Sequence, residues 1–142
     1  MGKKSTGVIV ALTAAGVLPA ASLAGVSPLI EKNIPNTSCG INAYEPSISG
    51  GRVNGSALID CNGNKYHLQV EGCIQHSNNG SGTWSTVSGS CQLNPRSGSD
   101  YTSQLGATPS TSEHTSTWYR SWAWGWANGN TATVESAAVY SH

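Results

Sequence analysis

Alternation of apolar and polar positions is cleanest over residues 65–70, where Tyr66, Leu68 and Val70 share one face and His67, Gln69 and Glu71 the other. A period of two marks a half-buried strand. Residues 57–60 form a second apolar run just before it, and Asn62-Gly63-Asn64 between them predicts a hairpin turn. Further strands are expected at 48–53, 83–87, 118–127 and 131–140, the last entered through Asn128-Gly129-Asn130. A turn is expected at 78–82. Residues 94–117, rich in Ser, Thr, Pro and Gly, read as a long loop with one irregular strand. No later segment sustains a helical apolar period, and Gly or Ser interrupts every long stretch. Short strands between Asn-Gly turns predict an all-β fold, a small antiparallel β-sandwich or short barrel.

The first 24 residues follow another pattern. Lys3 and Lys4 precede a mainly apolar stretch at 7–18, then Pro19 and the small-residue run Ala20-Ala21-Ser22-Leu23-Ala24. A positive end, a short apolar core and small residues before the cut predict a secretory signal peptide, cleaved after Ala24. The apolar stretch is shorter than the ~20 residues that cross a bilayer, so no membrane span is expected in the mature form. Cleavage leaves 118 residues with a net charge of −2, whereas the whole chain balances 7 basic against 7 acidic groups. Only 10% of residues are charged. Near-neutrality and the lack of a basic cluster argue against nucleic acid as a partner.

Cys39, Cys61, Cys73 and Cys91 all lie in the exported part, an even number that predicts two disulfides in an oxidising compartment. Their spacings contain no Cys-x2-Cys pair of the kind zinc sites use. Three pairings are open. Cys39–Cys61 with Cys73–Cys91 is favoured, because each bond would tie neighbouring strands of a meander. Between the signal and the first cysteine, residues 25–38 form an extended arm containing Leu29, Ile30 and Ile34, interrupted by Pro28 and Pro35. Prolines suit an edge strand. That strand could pack on its own sandwich (residues 39–142) or add to the sheet edge of a partner.

The most informative segment is Trp118-Tyr119-Arg120-Ser121-Trp122-Ala123-Trp124-Gly125-Trp126. In a strand, Trp122, Trp124 and Trp126 point to one face, with Trp118 and Arg120, while the other face is built from small residues. The following turn decides which face is buried. A two-residue loop at Asn128-Gly129 sets Trp126 opposite Thr131, Trp124 opposite Thr133 and Trp122 opposite Glu135. Tyr119, Ala123, Ala132, Val134, Ala138 and Tyr140 then form the core. A three-residue loop instead groups the indoles with Ala132 and Val134 and buries them. A chain with no Phe needs large apolar groups inside, which favours the buried alternative. The exposed alternative gives a flat apolar strip, rimmed by Arg120 and Glu135, that suits sugar rings or a flat protein surface.

No catalytic constellation stands out. His67, His76, His114 and His142 are scattered, and no Gly-x-Ser-x-Gly elbow is present. A Glu71 carboxylate near His67 or His76 is the most that acid–base chemistry finds. His67 and His76 lack the further ligands of a metal site, so neither a metal nor a cofactor is expected.

The signal, the four cysteines and the closing hairpin from Trp118 to Gly125 resemble small secreted β-sandwich proteins of actinobacteria. The C-terminal hairpin is also similar to the lactococcin 972 bacteriocin family, although the cysteines depart from that pattern. The arm-plus-sandwich layout is similar in type to the disulfide-bonded adaptor of secreted umbrella-shaped toxin particles. These resemblances imply an extracellular protein, either an adaptor or an antibacterial effector acting on the cell envelope. The expected function is thus a secreted, non-enzymatic binding module for a secreted or cell-surface macromolecule, a protein in the first place and a glycan in the second. Its contacts are expected from the arm (Leu29, Ile30, Ile34) and the hairpin (Trp118, Tyr119, Arg120, Trp122, Trp124, Trp126, Glu135).

Overall fold

The computed structural model describes residues 29–142; the expected signal peptide at 1–24 and residues 25–28 of the arm lie outside the described residues. The described chain is all-β. In one sheet, β1 (Leu29–Asn33) pairs with β2 (Gly40–Ser49), and β2 with β3 (Arg52–Asp60). The far edge of β3 is shared by β8 (Gln104–Ala107) and β9 (Ser110–Ser112). The second sheet is built on β4 (Tyr66–Ser77) and β10 (Thr117–Ala127), which lie side by side. On its outer edge β4 carries β5 (Ser85–Thr86), β6 (Gln92–Asn94) and β7 (Asp100–Thr102), while β10 carries β11 (Asn130–Glu135) and β12 (Val139–Ser141). Every pairing is antiparallel, and the sheets pack face to face as an open sandwich. Neither closes into a barrel among the described residues.

Three sequence expectations change. Residues 48–53 are two strand ends joined by Gly50-Gly51, both at positive φ (59° and 77°), which makes β2 and β3 a tight hairpin. Asn62-Gly63-Asn64 does turn the chain, with the Asn64 N–H donating to the Cys61 carbonyl at 3.1 Å, but it links the two sheets and closes no hairpin. The reason is that β2 takes one edge of β3 and β8 and β9 the other, so β4 has no edge to join. Residues 94–117 contain three short strands of their own, because the long edges of β3 and β4 offer backbone partners that local sequence does not announce.

Both favoured disulfides are present, Cys39–Cys61 and Cys73–Cys91. Each extends a strand pairing by one step: Gly40 opposes Asp60 just inside the first, and Gly72 opposes Gln92 just inside the second.

The core is made from medium and small side chains. Ile34, Ile41 and Ile59 come from the first sheet and its β1–β2 connection, and Leu68, Val70, Ala123, Ala127 and Val134 from the second. Val53, Ile74 and Tyr119 form a smaller cluster at the other end. The inner face of β10 reads Tyr119, Ser121, Ala123, Gly125, Ala127, all buried. At Gly125 a Cβ would lie 3.1 Å from Ile34 Cδ1 and 3.2 Å from the Ile41 Cβ. Small residues on β10 thus let the isoleucines of the facing sheet fill the gap. A large side chain at Gly125 would collide with Ile34 and Ile41.

Tyr44, buried on β2, gives the fold a predictable alkaline limit. Burial, and then the negative charges of Asp60 and Glu31, push its phenol from 10.0 up to about 12. The folded state therefore favours the neutral phenol. The resulting stability is fully present below pH 10 and is lost as pH rises from 10 towards 12. At that upper limit the loss reaches roughly 2–3 kcal/mol. Urea midpoints recorded between pH 9 and 11.5 are expected to fall steadily, and Tyr44→Phe should flatten the decline. An unchanged slope in Tyr44→Phe would assign the decline to other groups.

Candidate functional site

The register of β10 decides the character of the second sheet's outer face. Asn128 and Gly129 form a two-residue loop with φ of 47° and 93°, the type I′ geometry that suits hairpins. Trp126 opposes Thr131, Trp124 opposes Thr133, and Trp122 opposes Glu135. The turn is anchored from the other side as well. The Asn128 N–H donates to the His67 carbonyl at 3.0 Å, and the His67 N–H donates to Asn128 Oδ1 at 2.8 Å. The favoured expectation of tryptophan as core is therefore overturned, and the indoles line the outer face. They are partly buried there, each between cross-strand neighbours.

On the β4 side the facing residues are Gln69 opposite Trp126, Glu71 opposite Trp124, Cys73 opposite Trp122 and Gln75 opposite Arg120. The Arg120 Nε donates to Gln75 Oε1 at 2.7 Å, and its Cζ lies 4.4 Å from the Trp84 ring centroid. Burial draws the Arg120 guanidinium below its ordinary value, opposed by the Glu135 charge. Arg120 thus joins two parts of the face, with Trp84 as its cation–π platform. Trp118 packs beneath Gly80, where a Cβ would lie 2.8 Å from the indole, and its ring sits 5.0 Å from that of Tyr140.

Two expected members of the binding set lie elsewhere. Tyr119 points inward from β10 and is 1% exposed; its hydroxyl accepts the His114 N–H at 2.8 Å and ties down the chain entering β10. Ile34 is 1% exposed in the core, and its N–H donates to the Cys39 carbonyl. Leu29 and Ile30 lie on β1, which pairs along its length with the protein's own β2. Ile30 stays 42% exposed. Residues 29–33 are therefore an edge strand of this sandwich.

Other members were missed. The alternation that continues 131–140 as one strand puts Tyr140 and Ala138 in the core with Val134. The chain instead slips by one residue after Ser136, whose N–H donates to the Ser121 carbonyl, so Tyr140 opposes Trp118 and Val139 opposes Tyr119. Tyr140 thereby joins the outer face. At the opposite end His67 and Tyr101, from the stretch read as loop, have ring centroids 4.9 Å apart. Nothing in the local pattern signals either event.

Chemical alternatives narrow. His76 opposes inward-facing Tyr119 and so lies on the other side of β4 from Glu71 and His67. His67 and Glu71 are four strand positions apart, roughly 13 Å along the backbone. Glu71, Cys73 and Cys91 bring ligand-type atoms within 4.8 Å of one another, but the two sulfurs are bonded to each other. Among the described residues no helix is long and apolar enough to cross a membrane. Fold and face together define an antiparallel, disulfide-linked β-sandwich with an aromatic outer sheet. No family model, curated protein or solved structure matches the chain.

Proposed function

We propose that this protein is an exported, non-enzymatic binding module whose working surface is the outer face of β10, engaging a secreted or cell-surface macromolecule. The observation that carries the reading is the β10–β11 register, which keeps Trp122, Trp124 and Trp126 out of the core. A fold that builds its interior largely from Ile, Leu, Val and Ala while aligning indoles, each partly exposed, on the outer face keeps apolar area at its surface that the core does not use. The two disulfides are compatible with an extracellular destination. The tryptophan face is favoured over the arm, since Ile34 is committed to the core and β1 to the protein's own sheet.

The test compares the mature chain (residues 25–142) with a variant carrying Trp122→Thr, Trp124→Thr and Trp126→Thr, for retention on isolated cell envelopes and on immobilised secreted macromolecules. Wild type is expected to be retained and the variant to lose at least tenfold in retention, with a cooperative thermal transition preserved. Equal retention of the two proteins would remove the tryptophan face as the working surface.

A further inference from the structure

We infer that the ligand of this face is an uncharged glycan chain lying along β10, an inference that rests on the preceding reading of the face. Trp122, Trp124 and Trp126 repeat every second residue, a spacing of ~6.7 Å along one straight strand. Trp118, covered by Gly80 and packed on Tyr140, does not extend the row. Each indole of the triplet lies between facing side chains from β11 and β4: Thr131 and Gln69 beside Trp126, Thr133 and Glu71 beside Trp124, Glu135 and Cys73 beside Trp122. The site is thus a repeat of one motif, an apolar ring flanked on one side or both by hydroxyl, amide or carboxylate groups. A sugar ring has the matching anatomy. Its C–H face is apolar, and its hydroxyls lie around the rim, where Thr, Gln and Glu can take them up. A linear polymer of such rings repeats as the site repeats.

The charges select among polymers. The ionised groups facing the indole triplet are Glu71 and Glu135. Arg120, the cation of the strand, lies beyond the triplet, engaged with Gln75 and Trp84; it feels the Glu135 charge, which leaves Glu71 as the carboxylate at the centre of the triplet. Carboxylates repel an anionic chain, whereas they accept hydrogen bonds from sugar hydroxyls, and such charge-assisted bonds are the stronger kind. A protein partner fits less well. Interface cores are depleted in Glu, and covering the Glu71 carboxylate with a dry surface is costly unless it meets a cation. Glycan hydroxyls leave water at the rim and meet the carboxylates directly.

The experiment is affinity electrophoresis of the mature protein through gels containing soluble uncharged polysaccharides (a β-glucan, a mannan, a hydroxyethylated chitin) and, as the anionic counterpart, a polyuronate. It is paired with envelope retention after protease digestion or periodate oxidation. At least one uncharged polysaccharide is expected to retard wild type. Trp124→Thr should weaken the apparent affinity at least tenfold, and Trp124→Tyr should retain part of it. Envelope retention should survive protease and be lost on periodate oxidation. Retention that survives periodate and is lost on protease digestion would overturn the glycan and point to a protein ligand, leaving the tryptophan face as the working surface. Retardation by the polyuronate alone would overturn the uncharged class. Binding that is the same in wild type and Trp124→Thr would overturn both readings.

Discussion

Mild thiol is expected to open Cys73–Cys91 well before Cys39–Cys61. Exchange requires a thiolate to reach a disulfide sulfur. Cys39 and Cys61 are 2% and 0% exposed, sealed beneath the first sheet's end, whereas Cys91 lies exposed beside β4. The two bonds span 22 and 18 residues, so loss of either relaxes the unfolded chain by about 3 kcal/mol in the chain-entropy model. Order of opening therefore reflects access rather than loop length. Stepwise reduction, alkylation and mass mapping should find labelled Cys73 and Cys91 while Cys39 and Cys61 remain bonded. Because Trp122 opposes Cys73, indole emission is expected to change at the first step. Simultaneous opening, or opening in reverse order, would show that local unfolding exposes the first bond. Cys39→Ala with Cys61→Ala is expected to lower stability by about 3 kcal/mol, a large share of the 5–15 kcal/mol typical of a domain.

The second large effect is expected at Gly72. Pro109, between β8 and β9, is fully buried and reaches across to the opposite sheet. A Cβ on Gly72 would lie 2.8 Å from Pro109 Cδ, 3.0 Å from its Cγ and 3.2 Å from the Ala57 Cβ. A pyrrolidine ring cannot rotate away as a flexible side chain does. Its carbonyl also accepts the Gly55 N–H at 2.9 Å, which holds the backbone in place. Gly72→Ala is therefore expected to cost about 2–3 kcal/mol by overpacking, and Gly72→Val more. Gly106 provides the control: there a Cβ would have its nearest neighbours at 3.5 and 3.7 Å, ordinary contact. Gly106→Ala should be neutral or slightly stabilising. Thermal melts of the three variants decide the matter, with Gly72→Ala expected roughly 10 °C below wild type. Equal melting of Gly72→Ala and Gly106→Ala would mean that the sheets separate easily at Pro109.

The legible parts of the fold were those set by contacts close in sequence. The alternation from Tyr66 to Val70 is a strand with Leu68 and Val70 fully buried and His67 exposed, as its period requires. The disulfide pairing followed from assuming that neighbouring strands pair, which holds for Cys39–Cys61, one residue beyond the paired ends of β2 and β3, and for Cys73–Cys91, one step beyond the β4–β6 pairing. The same assumption failed at Asn62-Gly63. A turn bends the chain, but whether the next strand finds a free edge depends on β8 and β9, more than 40 residues later. Tyr101 was illegible for a similar reason, since β7 is a strand only because β4 is beside it.

By itself, then, the sequence determined that β10 has one indole face and one small-residue face, because side-chain alternation is a property of a single strand. It also determined that Asn128-Gly129 would be a turn, because both positions tolerate positive φ. Which face looks outward was decided by tertiary structure. Two loop lengths differing by one residue invert the pairing, and Ile34 and Ile41 of the opposite sheet leave no room for a large side chain at Gly125. The slip after Ser136 that moves Tyr140 from the core to the outer face has the same origin. Register is an energy shared between strands, and no strand carries it alone.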